Sequence, residues 1–330
     1  MMQGLVTCVL ILGLVSPCFC RWNVATKHSY HVMNNVGTKN TFNMMNYGAH
    51  GDGISDDSQA LLTAWKSTCE AQGEATLVIP PNQTFMVKDI NLSGPCTATN
   101  IDIQIQGKIV APDMGSWGRD KLTLITISNV NGLTIEGTEG LIDGHGSTWW
   151  KNCPTCTRPK LLSFHACNNL VVSYLKIMNS PRAHISVNGC ENVTFSHINI
   201  NAPSDSPNTD GIDISASKNI FIRDSTIATG DDCIAINGGS SFINATRVAC
   251  GPGHGISIGS LGKNGAHEIV EEIYVQNCSF TNTTNGARIK TWPGGSGYAR
   301  KITFEEITLV GAGNPIIIDQ YYGTNSPKFF

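Results

Sequence analysis

Short aliphatic and β-branched runs recur along this chain, each behind a glycine or polar residue, and their spacing limits the folds open to it. They are Gly132-Leu133-Thr134-Ile135, Asn169-Leu170-Val171-Val172, Asn192-Val193-Thr194-Phe195, Asn219-Ile220-Phe221-Ile222, Glu272-Ile273-Tyr274-Val275 and Lys301-Ile302-Thr303-Phe304. Their starts lie 37, 23, 27, 53 and 29 residues apart. The gap of 53 predicts two turns with a middle strand near Gly255-Ile256-Ser257-Ile258, and that of 37 one turn plus an insertion around Trp149, Trp150 and Cys153 to Cys156. Strands of about four residues at a period in the twenties predict an all-β fold, a right-handed parallel β-helix. A β-sandwich would place turn signals every ~8 to 12 residues. One segment breaks the pattern: Ser58 to Trp65, with Leu61, Ala64 and Trp65 at helical spacing, predicts a short N-terminal helix capping the solenoid.

The chain has 330 residues, 22 basic against 25 acidic, with 14% charged and 41% hydrophobic residues. That balance excludes a disordered tail and argues against a nucleic-acid partner, which would need a basic field. Met1 to Cys20 carries no charged residue, and its apolar run Leu5 to Val15 reads as a secretory signal peptide over residues 1–20. A membrane anchor is the alternative, but the run is shorter than the ~20 residues that span a bilayer. No membrane association is therefore expected after cleavage. Residues 21–41 are polar and unpatterned and read as an arm or propeptide, leaving 42–330 as one catalytic domain. Sequons at Asn82, Asn91, Asn192, Asn244, Asn277 and Asn282 would permit N-glycans. Removing Cys8, Cys18 and Cys20 leaves nine of 12 cysteines, an odd number, for an oxidising compartment.

Four segments carry candidate chemistry: Asn208-Thr209-Asp210-Gly211, Gly230-Asp231-Asp232-Cys233, Gly253-His254-Gly255 and Arg288-Ile289-Lys290. Singly, each reads as a turn or a solvated strand face. Their spacing is the informative part: Asp210 to Asp231 is 21 residues, Asp232 to His254 is 22 and His254 to Arg288 is 34. Residues one period apart stack ~4.8 Å from one another, so three carboxylates, an imidazole and two cations are predicted on one wall. Strand alternation projects Arg288 and Lys290 together while Ile289 turns inward. Adjacent Asp231 and Asp232 can both reach a cleft only at a corner or bulge, where Gly230 gives freedom. Crowded carboxylates cannot all ionise, so one is expected to keep its proton as a general acid.

In this order and spacing the four segments resemble the signature segments of the polygalacturonases, the pectin-hydrolysing glycoside hydrolases. The wider text SPNTDGIDI, TGDDCIAI, CGPGHGISIGSLG and NGARIKTW resembles the plant members, and the match runs from about Phe42 to Tyr322. The resemblance implies a secreted, extracellular cell-wall enzyme that hydrolyses α-1,4-linked galacturonic acid in pectin with inversion, using no metal or other cofactor. It implies Asp231 as general acid, Asp210 and Asp232 as the groups that activate water, and His254 as the residue that tunes the acidic group. Arg288 and Lys290 would hold a substrate carboxylate, Asn208 would contact substrate, and Tyr322 would line the sugar subsite. It also implies disulfides Cys69–Cys96 and Cys233–Cys250. Inversion needs two carboxyl groups ~6.5 to 9.5 Å apart. Polygalacturonic acid is the expected partner, a monomer the expected state and endo cleavage the preferred mode.

Other motifs fail. Gly251 to Gly255 is not a dinucleotide fingerprint, and His267-Glu268 has Glu271 where a zincin needs its second histidine. Cys153-x-x-Cys156 stands without a second CxxC, so oxidation is expected rather than zinc. The remaining histidines read as structural or solvated, and Trp65, Trp149 and Trp150 as packing. A calcium-dependent pectate lyase and a non-catalytic pectin-binding protein are the competing functions. The second arises because only twelve residues follow Ile316-Ile317-Ile318, which predicts a family member lacking its last coils, with an open, aggregation-prone end unless Tyr321 to Phe330 folds back as a cap.

Overall fold

The computed structural model describes residues 40–117, 122–153 and 156–324. Every strand pairing among them is parallel, between one coil and the next. A parallel crossover is right-handed when its strands carry the usual twist, and the result is a right-handed parallel β-helix. Two rows of strands merge into an 18-stranded sheet because Lys218–Ala228 and Ser240–Cys250 run through the corner between them. The third row is a nine-stranded sheet. It contains Ile185–Asn188, Ile212–Ser215, Ile234–Ile236, Ile256–Leu261, Asn285–Thr291 and Asn314–Asp319, and it carries the chemistry.

The recurring runs form the first row. Leu170, Val193, Ile220, Ile243 and Ile273 stack in register and are almost fully buried. Removing most of one such side chain costs about 2–5 kcal/mol. The residue leading each run is the corner: Gly132, Asn169, Asn192, Asn219, Phe242, Glu272 and Lys301 all have positive φ. Asparagine tolerates this left-handed conformation, and the side chains of Asn169, Asn192 and Asn219 link into a ladder at 3.3 and 3.2 Å.

The strand expected near Gly255 to Ile258 exists but belongs to the third row. The missing first-row strand is Ser240–Cys250, with Ile243 registered between Ile220 and Ile273. Its corner residue is Phe242, half-exposed and lacking the glycine or polar mark of the others, which hid it from the repeat.

The predicted helix spans Ser58–Glu70 and buries Leu61, Ala64, Trp65 and Thr68 over the first coils. Cys69–Cys96 ties down its end. The first strand, Asn40–Asn43, begins two residues inside the segment read as an arm and pairs with Glu74–Ile79. The signal reading over 1–20 lies outside the described residues, as does most of the arm. At the other end Ile316 and Ile318 are 77% and 66% exposed although they continue the inward-facing column of Ala287 and Ile289. Residues 325–330, most of the expected cap, are outside the described part. No helix among the described residues is long and apolar enough to cross a membrane.

Besides Cys69–Cys96, disulfides join Cys233–Cys250 and Cys153–Cys156. Cys167, Cys190 and Cys278 are buried thiols, and the Cys167 N–H donates to Cys190 Sγ at 3.3 Å.

Candidate active site

The chain enters each third-row strand through a polar corner, and the register places those corners one above another. Ile212 pairs with Ile234 and Ile234 with Ile256. The preceding corners, carrying Asp210, then Asp231 and Asp232, then His254, therefore become neighbours. The Gly211 N–H donates to Asp232 O at 2.8 Å and the His254 N–H to Asp231 O at 2.7 Å. Thr209, fully buried, joins two motifs by accepting the Gly230 N–H on Oγ1 at 3.0 Å. Glycine is required at two corners for different reasons. A Cβ on Gly230 would lie 2.0 Å from Ser206 O, a matter of close approach, whereas Gly253 has φ +138° and a Cβ there would meet Asp231 O at 2.6 Å.

A groove of about 290 Å³ runs over these corners, lined by Arg182, Asp210, Asp213, Asp231, Lys290 and Tyr322, with Asn208 at its edge. The eight residues singled out from the sequence thus come together, Asp232, His254 and Arg288 by direct bonds to one another or to the lining groups. Asp231 Oδ1 faces His254 Nδ1 at 2.9 Å and accepts the Asp232 N–H at 2.8 Å. Burial works to raise the Asp231 pKa, but His254, then Lys290 and that backbone N–H, hold it below the ordinary carboxylate value. Asp210 is driven the other way. Burial, reinforced by the charges of Asp213, Asp231 and Asp232, lifts its pKa well above the usual range against the pull of Lys290. Of the two, Asp210 is biased toward holding a proton and Asp231 toward ionising.

Arg288 and Lys290 project together, as strand alternation predicts, and both engage Asp232, which is fully buried. Lys290 Nζ lies 2.7 Å from Asp232 Oδ2 and 5.1 Å from the Tyr322 ring. Arg288 Nη2 donates to Asp232 Oδ1, which also accepts from Ser257 Oγ at 2.8 Å. Donor atoms of Asp231, Asp232 and His254 lie within 4.8 Å of one another, a set a cation could use, but both oxygens of Asp232 already face cationic side chains. Tyr322 stands edge-on to Trp292 at 5.6 Å.

Three participants were not read from the sequence. Asp213, on the outward face between Ile212 and Ile214, has its pKa raised by burial to about 6. Strand alternation in Gly211-Ile212-Asp213-Ile214 was the available signal. Arg158, 4% exposed, donates to the carbonyls of Pro181, Cys153 and Pro207 and to Asn208 Oδ1 at 2.7 Å, fixing Asn208 beside Asp231. Nothing in the sequence marks it, because its partners are carbonyls. Arg182, one coil before Asp210, is the third. His184 is structural, as expected: it is fully buried, burial lowers its pKa to about 4, and Nδ1 donates to Asp210 O at 3.0 Å while Nε2 accepts the Ser180 N–H.

The family model for glycosyl hydrolases family 28 matches residues 69–328. The chain belongs to glycosyl hydrolase family 28. This family-28 chain is 52% identical over 285 residues to a protein of Arabidopsis thaliana named probable polygalacturonase, covering 86% of this chain and 62% of that one. It is 42% identical to an exopolygalacturonase of Platanus acerifolia, over 85% of this chain and 75% of the relative. Among solved structures it is similar to the endo-xylogalacturonan hydrolase of Aspergillus tubingensis, at 31% identity, a TM-score of 0.78 and coverage of 86% and 78%. The chain spans less than two thirds of the length of the first curated relatives it matches. In this family-28 solenoid the third row and its corners carry all four sequence motifs.

Proposed function

We propose that this chain is a secreted glycoside hydrolase of the plant cell wall that cleaves α-1,4-galacturonosyl linkages of polygalacturonate within the polymer, by acid–base hydrolysis with inversion, as a monomer. What supports the reading most is one observation: a single groove is lined by two carboxyl groups whose surroundings push their pKa values in opposite directions, Asp210 upward and Asp231 downward. Inverting hydrolysis asks for such a pair. The acid protonates the glycosidic oxygen as the C–O bond breaks, and the base takes a proton from the water that attacks the anomeric carbon from the opposite face. Membership of a family whose relatives are named polygalacturonases supports the substrate class.

The resemblance makes Asp231 the donor, with Asp210 and Asp232 on the water side and His254 tuning the acidic group. The opposite directions of the two pKa shifts favour a second allocation, with Asp210 as donor and Asp231 as base. Leaving-group dependence separates them. Asn in place of the donor should cost at least ~10²-fold on polygalacturonate and far less on an oligogalacturonide with an activated aryl leaving group, which needs little protonation. Replacing the base should cost the same on both. Product analysis of polygalacturonate digests tests the reaction itself: saturated oligomers of several lengths are expected. Unsaturated, ultraviolet-absorbing ends would overturn hydrolysis in favour of elimination, and monomer alone would overturn internal cleavage.

A further inference from the structure

A groove that takes a polyanion must offer it a cation, and the two expected to do so are already engaged. Lys290 and Arg288 both bind Asp232 and are only 8% and 12% exposed at the side chain. Around them Asp210, Asp213 and Asp231 make the lining acidic. One lining cation differs. Arg182 is exposed and makes no ion pair or side-chain hydrogen bond among the described residues. Its charge is nonetheless felt by the groove, pulling down the pKa of Asp213 and of Arg158.

Arg182 leads into Ile185–Asn188, the coil before Asp210, while Arg288 and Lys290 sit on Asn285–Thr291, two coils beyond Asp232. Four coil steps of ~4.8 Å separate the two, so the carboxylate cluster lies between an exposed cation on its N-terminal side and an engaged pair on the other. A guanidinium presents a planar fork that matches a carboxylate with two parallel N–H···O bonds, and a methyl ester offers neither charge nor a second equivalent oxygen.

We infer that Arg182 binds the carboxylate of a galacturonate unit on the N-terminal side of the cleavage site and makes this groove prefer unesterified over methyl-esterified polymer there. The inference rests on the galacturonan reading of the site and adds the residue that reads charge.

The test is binding of defined oligogalacturonates, fully acidic or fully methyl-esterified, to the full chain by isothermal calorimetry, for the native protein, Arg182→Gln and Arg182→Lys. Thermal melts of the variants should match the native protein, because the side chain is exposed. Arg182→Gln is expected to weaken the acidic oligomer roughly 10-fold and to leave the esterified one within twofold, with a salt dependence reduced from the native one. Arg182→Lys, which keeps the charge without the fork, should recover part of the loss. Equal losses on both oligomers, or none on the acidic one, would overturn the role of Arg182 while leaving the galacturonan reading in place. A native chain that binds neither oligomer would overturn both.

Discussion

Lys290→Met distinguishes a cation that reads substrate from one that holds the fold. Asp232 is fully buried, and its Oδ2 has Lys290 Nζ 2.7 Å away, while Arg288 and Ser257 share Oδ1. Methionine keeps the stem of the side chain and removes the donor. Breaking a buried pair by deleting one partner costs ~3–5 kcal/mol, and the lower end applies because Arg288 still compensates the charge, giving about 3 kcal/mol. For a domain of this size that lowers Tm by roughly 5 °C. Asp232→Asn alone should also destabilise, because it leaves two buried cations facing an uncharged amide. The double variant should then be more stable than the sum of the singles predicts, by about 2 kcal/mol. Thermal and denaturant melts of the four proteins at pH 7 supply the cycle. A Lys290→Met protein that melts with the native one, in an additive cycle, would refute the pairing and return Lys290 to the substrate.

Two further outcomes follow from the same geometry. Asp213 has a folded pKa of about 6, above the unfolded ~3.9, so the folded chain binds the extra proton between about pH 4 and 6. Its stabilising contribution is complete below pH 4 and is lost as pH rises through 6. Asp213→Asn should therefore exceed the native protein in stability at pH 7, by at most about 3 kcal/mol, and lose that advantage near pH 4; a difference that does not vary with pH would refute the assignment. The Cys233–Cys250 bridge closes a 17-residue separation between the Asp231-Asp232 corner and the His254 corner. Replacing both cysteines with serine should cost about 3 kcal/mol, and peptide mapping without reduction should recover the linked pair from the native chain, whereas a free thiol at either position would reject it.

The repeat was legible because every coil must put aliphatic residues inside and a left-handed residue at its corner. Asn169, Asn192 and Asn219 announce both requirements at once. Phe242 meets the second without the usual residue type, so its strand went unread. The confusion with Ile256–Leu261 has a related cause. Each coil contributes up to three strands with the same alternation of inward and outward residues, and periodicity alone does not say which side of the coil a given alternation builds. The helix was legible at its start and ran longer than read, because Thr68 and Cys69 continue the buried face beyond Trp65.

For the site, period converts directly into proximity. Once coils stack in register, Asp210, Asp231 with Asp232, and His254 must share a wall, and the order of the motifs alone is enough to predict that company. Which group bonds to which is decided at a finer scale. Asp232 and Asp231 are chain neighbours, yet one is sealed between Arg288, Lys290 and Ser257 and the other faces His254 and the groove. The pKa of Asp210 is raised because the side chain is desolvated and faces the charges of three other carboxyls, one of them Asp213. Arg158 is immobilised by carbonyls drawn from three separate loops, while Arg182 is exposed and has no ion pair among the described residues. Stacking is set by local backbone preference repeated coil after coil, which a one-dimensional pattern records. Protonation and pairing depend on burial and on gaps of a few ångströms between side chains from different coils, and those distances exist only once the chain has closed around itself.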